Sequence, residues 1–180
     1  MIIFALETLA DDSHRRHLVD PNARTDLCFE YAEIDSYGIS LDGKGSWHWD
    51  HNGELWKPDW ASYHAAAELD TPIMPTANII KLMYGYDYYD NQEDVHIWTG
   101  RCKSTREKTE KWLEKHDIYY KCLMMRNDGD DIPLHELKEI WLDQNIGNPK
   151  AIDFVFESDP QSIAMWKRRG VFVFNCNQEQ

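Results

Sequence analysis

Three features of this 180-residue chain predict a single α/β domain on a mostly parallel, five-stranded sheet. It opens with Ile2-Ile3-Phe4, an apolar run without polar alternation, as in a strand buried on both faces at a sheet centre. Downstream, short β-type runs alternate with helical stretches of about ten to thirteen residues, the pattern of parallel βαβ units. The length is that of one domain able to bury a full core. Residues 1–180 therefore read as one domain, with a small aromatic-rich insertion over 38–57.

Each element has its own local warrant. After the first strand and the basic cluster His14-Arg15-Arg16-His17, the chain is polar and irregular to about Tyr37. Residues 38–58 are punctuated by glycine and carry Trp47, Trp49 and Trp56, which predicts a hairpin or loop insertion. Asp59 is placed to cap a helix from Trp60 to about Leu69. Ile79, Ile80, Leu82 and Met83 have helical spacing and predict a helix over 76–84, after a turn bounded by Pro72 and Pro75. A strand over 95–98 ends in Thr99-Gly100-Arg101. A charged helix over 104–116 follows, anchored by Trp112 and Leu113. Then come a strand over 119–125, an acidic loop over 127–132, and a helix over 133–144 with Leu134, Leu137, Ile140 and Trp141 on one face. A strand over 151–156, a helix over 160–169 and a strand over 171–174 complete a Rossmann-like three-layer sandwich. No internal repeat or low-complexity stretch interrupts it.

Composition narrows the function. A net charge of −13 argues against non-specific nucleic-acid or anionic-membrane binding, which needs basic patches. It suits solubility, cation binding or a basic partner surface. Cys28, Cys102, Cys122 and Cys176 are scattered without a Cys-x-x-Cys pair, as expected of reduced thiols in a cytoplasmic protein. No run approaches the ~18 apolar residues of a membrane span, and no basic leader precedes the first strand. Eight Trp, nine Tyr and six Phe are more aromatics than a plain α/β core needs. Tyr37, Trp47, Trp49, Trp56 and Trp60 form a candidate contact surface, since Trp and Tyr are enriched at interface hot spots. The alternative is a satellite core within the insertion. Trp47-His48-Trp49-Asp50-His51 has the residue types of a metal cluster, but short aromatic hairpins also hold them by chance. Tyr84, Tyr86, Tyr88 and Tyr89 are expected to pack rather than stack bases.

The segment after the first strand, Ala5-Leu6-Glu7-Thr8-Leu9, resembles motif I of the haloacid dehalogenase (HAD) phosphohydrolases, written there as Asp-x-Asp-Gly-Thr-Leu. Thr99 matches the motif II hydroxyl, Lys138 the motif III lysine, and Glu157-Ser158, with Asp159 next, the motif IV acidic pair. The frame from Thr99 to Leu142 looks specifically like the phage-type 3'-phosphatase domain of polynucleotide kinases. So do PDWASYHAAAELDTPI, from Pro58, and QSIAMWKRRGVFVFN, from Gln161. The resemblance covers nearly the whole chain except about 38–57, and it implies a HAD-like fold in which that insertion serves as a cap.

The departures fall at the chemical centre. The family's first Asp attacks phosphorus and coordinates Mg²⁺; its position is Ala5. The second Asp protonates the leaving group; its position is Glu7, longer by a methylene on a turn lacking the family Gly. Motif IV has exchanged a carboxylate for the Ser158 hydroxyl and its following Arg for Asp159. The family loop Gly-Asp-x-Arg-Pro-Asp reads Gly129-Asp130-Asp131-Ile132-Pro133-Leu134, again without Arg. Thr99, Gly100, Arg101 and Lys138 remain as expected phosphate ligands. Glu7, Glu157 and Asp159 remain as candidate ligands for Mg²⁺, the one cofactor implied. The expectation is a degenerate phosphatase fold, phage-encoded as the resemblance implies, that binds a protein partner. The alternatives are a Mg²⁺-dependent phosphohydrolase of nucleotide or polynucleotide 3'-phosphates, with Glu7 or Asp11 taking over, and a nucleotide sensor without turnover.

Overall fold

The computed structural model describes residues 1–19, 28–30, 47–49, 59–85 and 94–176. In chain order its elements are β1 (Ile2–Ala5), β2 (Ala10–Asp11), β3 (Cys28–Glu30), β4 (Trp47–Trp49), α1 (Trp60–Ala65), β5 (Thr71–Pro72) and α2 (Met74–Gly85). They continue with β6 (Val95–Cys102), α3 (Arg106–Lys115), β7 (Cys122–Arg126), α4 (Leu134–Trp141), β8 (Phe154–Glu157), α5 (Pro160–Arg168) and β9 (Val173–Asn175).

Every residue of β1 is buried, so the strand has no solvent face and lies at the centre of the sheet. The order is β7-β6-β1-β8-β9, and each pairing in it is parallel. On one face Ile2, Phe4, Ile80, Ile97, Trp112 and Leu113 pack together, drawing in α2 and α3. On the other face Ile3, Trp98, Leu137, Trp141, Val155 and Trp166 draw in α4 and α5. Burial of one large apolar side chain contributes about 1.5–3 kcal/mol, and two such layers sandwich the sheet. Trp98 meets Trp141 edge-on at 5.7 Å and Trp166 at 5.4 Å. Trp98, Trp112, Trp141 and Trp166 are all core residues, so half of the aromatic excess in tryptophan is structural rather than a surface signal.

The strand expected over 95–98 runs on to Cys102, which puts Thr99 and Arg101 on the strand itself. The strand expected from Tyr119 starts at Cys122. The helix expected to reach Gln144 widens after Trp141 and closes at Gly147, whose φ of +71° suits glycine. The short antiparallel ribbon of β2 with β5 was not foreseen.

The chain divides into two compact units, Met1–Asp12 with Ala67–Gln180 and, separately, Ser13–Ala66. The second holds β3 paired antiparallel with β4, and α1. The expected 38–57 insertion falls within this second unit and, apart from 47–49, outside the described residues. Among the described residues no helix is long and apolar enough to cross a membrane.

Candidate functional site

Parallel pairing brings the carboxyl ends of β1, β6 and β8 to one edge. Ala5 pairs with Trp98, and Phe4 with Phe156, so Thr99 and Glu157 stand one step beyond on either side of the central strand. The residues after β1 form a single 3-10 turn, Leu6–Thr8, which packs against β6 and β8. The Thr8 hydroxyl donates to the Ala5 carbonyl at 2.7 Å, and Leu9 N–H to the Leu6 carbonyl at 2.8 Å. Both residues flanking the turn have negative φ, −67° at Ala5 and −108° at Leu9. Leu6, Glu7 and Thr8 do not have positive φ either, so the turn does not require glycine, which accounts locally for the missing motif Gly. Ala5 presents a methyl group at 1% exposure, and Glu7 an exposed carboxylate.

The residues expected to bind an oxyanion are brought to this edge, and the three with polar side chains, Thr99, Arg101 and Lys138, are each already engaged by a carboxylate of the same chain. Thr99 Oγ1 donates to Glu7 Oε1 at 3.1 Å and accepts the Arg101 N–H at 3.2 Å. The Arg101 guanidinium forms a buried ion pair with Asp70. Lys138 Nζ donates to Glu157 Oε2 at 2.7 Å, with both side chains only 1% exposed. The other oxygen, Glu157 Oε1, accepts the N–H groups of Ser158 at 3.1 Å and Asp159 at 3.2 Å. Asp159 Oδ2 accepts the Ser162 N–H at 2.8 Å and caps α5. Burial pushes the Glu157 carboxyl above its ordinary value; Lys138 opposes that shift, and the nearby Glu7 charge reinforces it. Gly100 faces Leu134 at the start of α4: a Cβ there would lie 3.4 Å from a Leu134 methyl carbon, an ordinary van der Waals contact.

A Mg²⁺ ion of the kind the resemblance implies does not fit these residues. The Ala5 side chain offers no oxygen, and Glu157 and Asp159 are turned to the ammonium and the helix cap. Glu7, Glu157 and Asp159 therefore do not form the expected three-carboxylate cluster. Among the described residues no group of three or more His, Cys, Asp or Glu could hold an ion. Asp11 lies on β2 opposite Thr71.

In the second unit, Arg15 turns inward. Its Nη1 donates to the Tyr63 carbonyl at 2.7 Å, and its guanidinium lies 3.9 Å over the Tyr63 ring. The basic cluster thus spends this cation on packing. Trp47 and Trp49 belong to β4, and Trp60 opens α1. Tyr37, Trp56, Asp50, His51, Tyr86, Tyr88 and Tyr89 lie outside the described residues.

Sequence reasoning missed Asp70 and Arg126. Asp70 sits in an aperiodic link before β5 and gave no signal. Arg126 binds the acidic loop through the carbonyls of Asp130 at 2.8 Å and Ile132 at 2.6 Å, and reaches the Gly100 carbonyl at 3.3 Å. As the cation ending β7, ahead of a loop that had lost its Arg, it was the one legible candidate.

Comparison with known proteins agrees with this frame. The family described as the polynucleotide kinase PNKP phosphatase domain matches residues 60–180. A chain of the Pnkp1/Rnl/Hen1 RNA repair complex superposes with a TM-score of 0.57 at 25% identity, over 63% of this chain and 35% of that one. A second Pnkp1/Rnl/Hen1 complex gives 0.55 at 25% identity, over 67% and 40%. The chain thus matches two-fifths or less of those longer chains. No curated protein matches it in sequence.

Proposed function

Because the chain belongs to the polynucleotide kinase PNKP phosphatase-domain family yet carries Ala5 where the motif I resemblance places the nucleophile, we propose that it is a phosphatase-like protein without phosphatase turnover. One observation carries this reading: the three side chains retained for an oxyanion, on Thr99, Arg101 and Lys138, are each engaged by Glu7, Asp70 or Glu157. A family nucleophile must form a covalent phosphoenzyme and hold a metal, and a buried methyl does neither. Glu7 remains a carboxylate, but its hydrogen bond to Thr99 engages it as a structural acceptor. An acid misplaced by about 1 Å can lose about a hundredfold in rate.

The retained function in this proposal is binding, with the protein phage-encoded and acting in the host cytoplasm. Its partner is a protein contacted through the aromatics of the 38–57 insertion and the acidic surface. The similarity to chains found in multi-protein repair complexes supports a partner-binding role. The test is purification of the tagged full chain from its host, beside a Trp47→Ser/Trp49→Ser variant with an unchanged circular dichroism spectrum. A stoichiometric partner lost from the variant is the expected result. A partner retained equally by the variant, or no partner at all, contradicts the proposed surface.

A nucleotide sensor without turnover is the second reading, favoured by the survival of Thr99, Arg101 and Lys138 in identity. It requires a saturable rise in melting temperature with nucleotide. The internal pairing of these residues predicts none.

A further inference from the structure

Resting on the reading above, we propose that the carboxyl edge of this sheet is assembled without a divalent cation, the Lys138 ammonium serving as the resident counter-ion of Glu157. Hard cations such as Mg²⁺ are held by several oxygens with lone pairs free to point at the ion. Both oxygens of Glu157, and one oxygen each of Asp159 and Glu7, are directed elsewhere. Glu157 gives one carboxylate oxygen to Lys138 at 2.7 Å and the other to two backbone N–H groups. Asp159 gives Oδ2 to the first turn of α5, Glu7 gives Oε1 to Thr99, and the Ala5 side chain has none to give.

Electrostatics points the same way. An ion ligated by Glu157 would stand beside an ammonium only 1% exposed, where little water screens like charges. Lys138 and Glu157 neutralise one another, as do Arg101 and Asp70, so among the described residues neither of these two buried carboxylates is an unmatched negative charge for a metal to neutralise. The remaining acids, Glu7 and Asp159, are exposed and half-buried respectively.

The test is Mn²⁺ electron paramagnetic resonance on the full chain with equimolar Mn²⁺, beside Glu7→Gln and Glu157→Gln variants. The free-ion signal of the wild type is expected to match that of protein-free buffer, and EDTA is expected to leave the melting temperature unchanged. A signal quenched by the wild type and recovered in Glu7→Gln or Glu157→Gln overturns the proposal. Quenching that both variants preserve assigns the ion to other acidic groups and upholds it. Glu7→Gln changes an exposed side chain, so it carries the test should Glu157→Gln fail to fold. An ion bound at this edge without phosphate release would sink this inference alone, whereas phosphate release would sink the proposed function.

Discussion

Removing the ammonium of Lys138 exposes the energetics of this edge directly. Lys138→Met keeps most of the side-chain volume on α4 but leaves Glu157 as a buried carboxylate with two backbone donors and no counter-ion. Breaking a buried pair by deleting one partner costs about 3–5 kcal/mol, which in a domain of this size lowers Tm by roughly 10 °C. Adding Glu157→Gln removes the stranded charge while its amide oxygen still accepts from Ser158 and Asp159, so the double variant should recover most of the loss. The cost of Lys138→Met also depends on pH. Burial already raises the Glu157 carboxyl above its ordinary 4.5, and loss of the opposing ammonium raises it further. A raised folded value means that the native state binds the proton more tightly than the unfolded chain. Stability is therefore fullest below that ordinary value and is lost as pH rises through the folded one. Urea unfolding of all four members of the cycle, followed by circular dichroism across this range, measures both effects. A single-mutant cost below about 1 kcal/mol, or a coupling below about 0.5 kcal/mol, would refute the reasoning.

Three further outcomes follow from the same structure. Asp70→Asn strands the Arg101 guanidinium and should cost about 3–5 kcal/mol in urea unfolding; a cost under about 1 kcal/mol would show that the pair is dispensable. Ala5→Asp places a carboxylate at a 1% exposed position near Glu157 and should lower Tm; an unchanged Tm would mean that the turn relaxes to expose it. Burial holds His96 below its ordinary value of 6.5, against the pull of Asp94 and with help from Lys121 and the N-terminal amine. The unfolded chain then takes up the proton first, so this contribution to stability is present above that value and is lost as pH falls through the folded one. His96→Gln should flatten that part of the curve, and an unaltered curve would assign the slope elsewhere.

The fold was legible where one strong local pattern sufficed. Ile2-Ile3-Phe4 could only be a strand buried on both faces, and Trp112-Leu113 anchored an otherwise charged helix. The two-residue strands β2 and β5 are too short to carry periodicity, and Pro72 argued against a strand there. Strand ends shifted because pairing with neighbours, rather than propensity, decides where a ladder stops; β6 runs to Cys102 beside β7. At the site, the positions of Ala5, Thr99, Lys138 and Glu157 followed from a resemblance in order and spacing. Their partners did not. Asp70 meets Arg101 across 31 residues of chain, and no local pattern encodes such a pairing. The sequence marked the retained cations as ligands awaiting an anion, whereas the fold supplies the anions itself.

The most direct test of the central claim is phosphate release from a 3'-phosphorylated oligonucleotide in Mg²⁺, by the wild type and by Ala5→Asp. The pairing of Lys138 and Arg101 predicts no release above the buffer blank from the wild type. It also predicts none from Ala5→Asp, because restoring one carboxylate does not free the cations or rebuild the metal ligands. Mg²⁺-dependent release by the wild type that disappears in Glu7→Gln would contradict the account, making Glu7 a working catalytic group rather than an acceptor for Thr99.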